Sequence, residues 1–340
     1  MSNVTTEPST HHAVISDLTL ANLGVLFKLV LNPTLGTMGT CTNAINVVVF
    51  YKMGLSDGVT QNFFILAVSD GCMAFGSLIS SAAYLLQTTI YLGMGGPEYQ
   101  IQVVYWATLL GGLFVQNTSL VTTVIIAVVR CCCVAMPLQV KHRLTASRQL
   151  AAILVFSGAS VAALIYLVSP THAVVVYNPR TNSSLALLAD LRWYEYTLFS
   201  NTCIYIGFII VIICAVILTI SLKRSSRFRE TSASGSSSTS GSTTDAYAKD
   251  SRREARVVKT VVFVAVVFIL CYIPSMVYTV TGSVVSEFSA NGVYRNANML
   301  TIMVTETSFL VNAAVNIFIY YFHNSRYRTT FNAILDKETT

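Results

Sequence analysis

Five side chains that can bind protons, cations or hydrogen-bond partners sit deep within very apolar stretches of this chain. Asp70 closes Leu66-Ala67-Val68-Ser69-Asp70, Ser119 lies in a third such stretch, and Asn43, Asn312 and Asn316 lie in two others. Asn312 and Asn316 stand four residues apart, so they project from one face of a helix. A carboxylate among neutral oxygens suits a small hard cation or a proton relay. The same groups can instead serve only to hydrogen-bond helices to one another. A second acid, Glu306, precedes Asn316 by ten residues, about three helical turns. Without a partner it implies a water-filled cavity and a cationic or hydrogen-bonding ligand; the alternative is a partner inside the bundle. Arg130 follows Ser119 by eleven residues, again about three turns, so both share a face. Glu254 opens a later apolar stretch at the same end. An ion pair between Arg130 and Glu254 would tie two helix ends together and open as a switch; otherwise the two are separate solvated charges.

The elements that must hold these groups are membrane helices. Of 340 residues, 54% are hydrophobic and only 11% charged, with a mean hydropathy of +0.62, against about 25% charged residues in a soluble domain. A soluble enzyme, a disulfide scaffold and a disordered chain are all poor fits. Stretches near the roughly 20 residues a bilayer core requires occur at 27–51, 61–87, 103–129, 149–169, 197–221, 258–281 and 297–321. The expected fold class is therefore an all-α membrane protein, a seven-helix bundle (27–321) between a polar tail (1–26) and a short C-terminal segment (322–340). With the N-terminus outside, 17 of the 21 lysines and arginines fall on inner segments, as the positive-inside rule requires. The net charge of +6 is thus a topology signal and not a nucleic-acid footprint.

Asn3 and Asn182 begin glycosylation acceptor triplets, and both fall on outer segments. No cleaved signal peptide is apparent at the start of the chain. The inner segment 224–256 contains TSASGSSSTSGSTTD, which has little apolar area to bury and is expected to be flexible, as a phosphorylatable loop or a plain linker. The eight cysteines lie in or at the ends of apolar runs, with no disulfide framework and no zinc spacing.

In order along the chain, these residues resemble the rhodopsin-like class of G-protein-coupled receptors over about 43–331. The family's first-span asparagine corresponds to Asn43, and its Leu-Ala-x-x-Asp to Leu66, Ala67 and Asp70. Its third-span arginine corresponds to Arg130, with Pro137 seven residues on. Its Phe-x-x-Cys-Trp-x-Pro corresponds to Phe268, Cys271, Tyr272 and Pro274, and its Asn-Pro-x-x-Tyr to Asn316, Ile317 and Tyr320. An amphipathic helix follows from Asn324. Within the class the chain looks most like invertebrate neuropeptide-type or chemosensory receptors.

The resemblance implies a plasma-membrane receptor with an extracellular N-terminus, an extracellular peptide or small-molecule ligand, and a heterotrimeric G protein as partner. Kinase and arrestin would act at the Ser/Thr-rich inner loop. By the same resemblance Asp70, Ser119, Asn312 and Asn316 form a sodium-binding set, and Arg130, Glu254 and Tyr320 form the coupling switch. Phe268, Tyr272 and Pro274 form the hinge of span six, and Gln116, Tyr272, Tyr278 and Glu306 line the ligand pocket. No other cofactor is implied: span seven has no lysine for a retinal Schiff base, and Gly112 stands where amine receptors carry an aspartate.

Four departures from the family pattern bear on function. Val129 replaces the acid before Arg130, Ile317 replaces the span-seven proline, and Tyr272 replaces the tryptophan. The cysteine pair joining span three to the second outer loop is missing, which makes 174–192 hard to place. The other reading is an ion-coupled transporter or channel using Asp70 and Glu306, but no internal repeat supports it. No metal or catalytic spacing in the spans points to an enzyme.

Overall fold

The computed structural model describes residues 15–89, 98–135, 144–169, 172–178, 183–189, 193–235, 242–289 and 292–338. Its helices are α1 (Asp17–Met53), α2 (Gly58–Thr89), α3 (Glu98–Ala135), α4 (Ala146–Val168), α5 (Trp193–Gly235), α6 (Ser242–Val284), α7 (Arg295–His323) and α8 (Ser325–Glu338). The first seven each contain a segment long and apolar enough to cross a membrane. Strands β1 (His172–Asn178) and β2 (Ser183–Ala189) pair antiparallel, with Val175 opposite Ala186. This hairpin occupies the segment after span four whose shape the sequence left open. The β-branched run Val174-Val175-Val176 favours extended backbone.

The helices form one bundle. α1 packs along α2 and α7, and α3 touches α2, α4, α5 and α6. Leu154, Val155, Ile165 and Leu270 remain more than half exposed on the outside. Water would disfavour so much apolar surface, whereas hydrocarbon accepts it. Large side chains fill the interior in two clusters. One gathers Phe50, Phe63, Leu66, Ile126, Leu218, Tyr320 and Tyr327 near α8, and the other gathers Leu120, Val211, Phe268, Tyr272 and Phe309 further along the bundle.

Helix α1 begins at Asp17, well before the apolar stretch 27–51. Ser16 caps it, its hydroxyl accepting from the Thr19 amide at 3.1 Å. A wider π-helical turn over Leu26–Leu31 follows, in which the Asn32 amide donates to the Phe27 carbonyl five residues back. The adjoining Pro33 has no N–H to give the preceding turn, a common cause of such local widening. Gly54, at φ +88°, ends the helix. Helices α5 and α6 run past their apolar stretches, so helix occupies much of 224–256, which the sequence reading expected to be flexible. Extending a formed helix costs far less than starting one. Residues 236–241 fall outside the described set.

Polar pairs stitch α1 to α7 along much of their length. Asp17 accepts from Asn296 at 2.8 Å and from Arg295 at 3.1 Å. Lys28 pairs with Glu306, Thr307 donates to Asn32 at 2.7 Å, and Asn43 donates to the Ala313 carbonyl at 2.9 Å. Between α2 and α4, Asn62 donates to Gln149 at 2.7 Å. Between α1 and α2 the contact is steric. A Cβ on Gly36 would lie 3.0 Å from Leu78 Cδ2 and 3.1 Å from the Ala74 carbonyl oxygen. Gly36→Val should therefore separate these helices and cost about 1–3 kcal/mol, read as a lower melting temperature of the purified protein in detergent; an unchanged melting temperature would show that the close approach is not needed.

Candidate functional site

The site is built where α2, α3 and α7 meet. Asp70 has no exposed surface, and its two oxygens are matched from different helices. Ser119 of α3 donates to Oδ1 at 2.7 Å, and Asn316 of α7 donates to Oδ2 at 2.9 Å. An ionised carboxylate out of water requires such donors, because desolvation would otherwise cost several kcal/mol. Among the described residues the Oδ1 atom of Asn316 is buried without a hydrogen-bond partner, and so is the hydroxyl of Tyr320 one turn later. An unsatisfied buried oxygen on a residue bonded to an acid is the kind of group that binds a small cation.

The structure thus brings Asp70, Ser119 and Asn316 together. Asn312 is also buried, but among the described residues it makes no hydrogen bond to that carboxylate. Asn43, read with this set by depth, is engaged elsewhere. Its amide donates to the carbonyls of Gly39 and Ala313, both at 2.9 Å.

Glu306 is not an unpaired acid. Lys28, on the π-helical turn of α1, forms an ion pair with it. The lysine side chain is 13% exposed and the glutamate 31%. Sequence position placed Lys28 merely at the margin of span one; the structure carries it on the π-helical turn of a helix that begins at Asp17, with its amine at α7. Of the other pocket candidates, Gln116 and Tyr278 are half-buried, with the Tyr278 ring against Phe288 at 6.2 Å. Tyr272 is buried and stacks on Phe268 at 4.0 Å and leans on Phe309 at 4.8 Å. These rings tie α6, just before Pro274, to α7.

Towards α8 the described side chains include two of the candidate switch residues, Tyr320 and Arg130. Tyr320 is enclosed by Phe50 at 5.1 Å, Phe63 at 5.0 Å and Tyr327 at 5.6 Å, measured between ring centres. It therefore packs against α1, α2 and α8, and its hydroxyl does not bond Arg130. Arg130 is half-buried near the end of α3, after the buried Val129. Glu254 lies on α6, but its side chain is outside the described residues, as are Asn3 and Asn182. Without the family's proline at Ile317, α7 runs unbroken from Arg295 to His323.

Sequence reasoning missed two residues here. Tyr327, fully buried, donates its hydroxyl to Asn46 Oδ1 at 2.6 Å. Asn46 in turn donates to Asn43 at 3.3 Å. Burial pushes the Tyr327 phenol well above its usual pKa, so it remains a proton donor. The signals were present: Asn46 follows Asn43 by three residues, on the same helical face, and Tyr327 leads the apolar face of an amphipathic segment. Neither spacing names the partner.

No curated protein matches this chain. The sequence model described as 7 transmembrane receptor (rhodopsin family) matches residues 43–320, a span holding the buried acid, the Arg130 end of α3, the aromatic stack of α6 and Tyr320. The chain belongs to the rhodopsin family of seven-transmembrane receptors.

Proposed function

We propose that this receptor binds an extracellular peptide or small chemosensory molecule, not a biogenic amine, and activates a heterotrimeric G protein. The observation that carries the reading is the buried contact of Asp70 with Ser119 and Asn316, followed one turn on by the enclosed Tyr320. It joins α2, α3 and α7 through a few hydrogen bonds whose rearrangement can be biased from either end of the bundle. In this reading the N-terminus is outside the plasma membrane and Asn3 and Asn182 carry sugars. The α8 end faces the cytosol, where kinase and arrestin act on the Ser/Thr-rich loop. A ligand enters among Gln116, Tyr272, Tyr278 and Glu306 and favours one packing of α6 on α7. Arg130, Glu254 and Tyr320 then rearrange to admit the G protein.

Two features oppose an aminergic ligand. Position 112 is glycine, and the Glu306 carboxylate is already matched by Lys28. A singly charged amine would have to displace a largely buried lysine from Glu306. The same pairing, with the full burial of Asp70, weighs against an ion path through these two acids.

Asp70, Ser119, Asn312 and Asn316 would hold a sodium ion, whose charge would offset the buried carboxylate. Sodium at ten times its dissociation constant is expected to stabilise the purified receptor by about 1.4 kcal/mol over potassium. Asp70→Asn should abolish that difference in thermal melts, and a sodium shift that survives the substitution would assign the ion elsewhere.

Coupling is tested by a ligand screen read as nucleotide exchange on a co-expressed promiscuous G protein. Arg130→Ala should remove the ligand-dependent signal at unchanged surface expression; a signal retained in that variant rejects the assigned role. Because Val129 cannot pair with Arg130, restraint falls to Glu254 of α6. Glu254→Ala should raise exchange without ligand, and basal exchange equal to that of the parent receptor counts against the lock.

A further inference from the structure

A hydrogen-bonded chain of side chains joins α7 to α8 by way of α1. The Ala313 carbonyl of α7 accepts from Asn43 at 2.9 Å. Asn43 Oδ1 accepts from Asn46 Nδ2 at 3.3 Å, and Asn46 Oδ1 accepts from the Tyr327 hydroxyl at 2.6 Å. All three side chains are buried: Asn43 and Tyr327 show 1% and 0% exposure, and Asn46 shows none. The start of α8 is pinned from two further sides. The Tyr327 amide donates to Asn324 Oδ1 at 3.1 Å, and Arg326 donates to the Met53 carbonyl at the end of α1.

The Tyr327 ring is also one wall of the enclosure around Tyr320, with Phe50 and Phe63 as the others. Aromatic contact alone lets a ring slide at little cost. A hydrogen bond from the phenol to a buried amide fixes the ring's position, because sliding would leave both polar atoms unpaired out of water. Among the described residues the Tyr320 hydroxyl has no hydrogen-bond partner, so the packing of these walls is what keeps the ring in the enclosure.

We propose that Asn46 and Tyr327 are positioning residues for the coupling switch: their hydrogen bond holds the wall that keeps Tyr320 between α1, α2 and α8, and so restrains the receptor in its resting arrangement. The restraint rests on the receptor reading above, and it adds two residues which that reading does not use.

The test compares Tyr327→Phe, Asn46→Val and the double variant in full-length receptor, with surface amount and thermal melting measured alongside basal nucleotide exchange. Tyr327→Phe removes one hydroxyl and keeps the ring. It is expected to raise basal exchange about 2- to 10-fold, the range corresponding to one net hydrogen bond. Each single variant leaves a buried polar atom unpaired and should melt lower, whereas the double variant leaves no orphan between these two positions and should recover part of that loss. A restraint predicts that the double variant keeps the raised basal signal despite its recovered stability. A basal signal that returns to the parent level together with stability would overturn the proposal and leave the bond a purely structural one.

Hydrogen exchange of the amides at 324–328 reads the junction without any G protein. Faster exchange in Tyr327→Phe with a ligand signal that is absent in every variant, parent included, would place the failure in the receptor reading. A normal ligand signal with unchanged basal exchange in Tyr327→Phe would overturn the restraint itself.

Discussion

A polar side chain inside an apolar bundle has no water to return to, and that single constraint organises most of this molecule. Asp70 must be met by donors from other helices, and it takes Ser119 from α3 and Asn316 from α7. Asn62 must likewise be met, and it takes Gln149 from α4. Each match fixes the rotation and depth of one helix against another more sharply than apolar contact does, since slipping by a residue would strand two groups rather than exchange one methyl for another. Steric fit completes the arrangement where glycines at 36 and 39 let α1 lie close to α2.

The seam between α1 and α7 concentrates these matches. It runs from Asp17 with Asn296, through the pair of Lys28 and Glu306, to Asn43 with the Ala313 backbone. Through Asn46 and Tyr327 it continues into α8. Helix α7 carries both the partner of the buried acid, Asn316, and the enclosed Tyr320. A helix so heavily tied on one side can shift only by breaking named contacts, which is the behaviour expected of a two-state element. The altered family positions fit this picture. Ile317 leaves α7 unbroken, so its course depends on these lateral ties rather than on a proline bend. The Tyr272 ring fills its place by stacking between Phe268 and Phe309.

The sequence by itself determined the class of environment and the number of crossings, because hydrocarbon thickness and the scarcity of charge act on composition and run length alone. It also determined the depth of Asp70, Ser119 and Asn316, since a helix rises by a constant amount per residue. What only the tertiary structure decided is pairing. Depth along a helix says nothing about which neighbour a side chain faces, so Asn43 read as a companion of Asp70 although it bonds α7 backbone. Glu306 read equally as open to a ligand or as paired inside the bundle, because its partner lies 278 residues away, on a turn whose widening shifts every later side chain around the helix. Tyr327 and Asn46 are 281 residues apart, and no local pattern joins them. Periodicity and hydropathy are local quantities, whereas the match of one buried hydrogen-bond donor to its acceptor is settled only when the helices have packed.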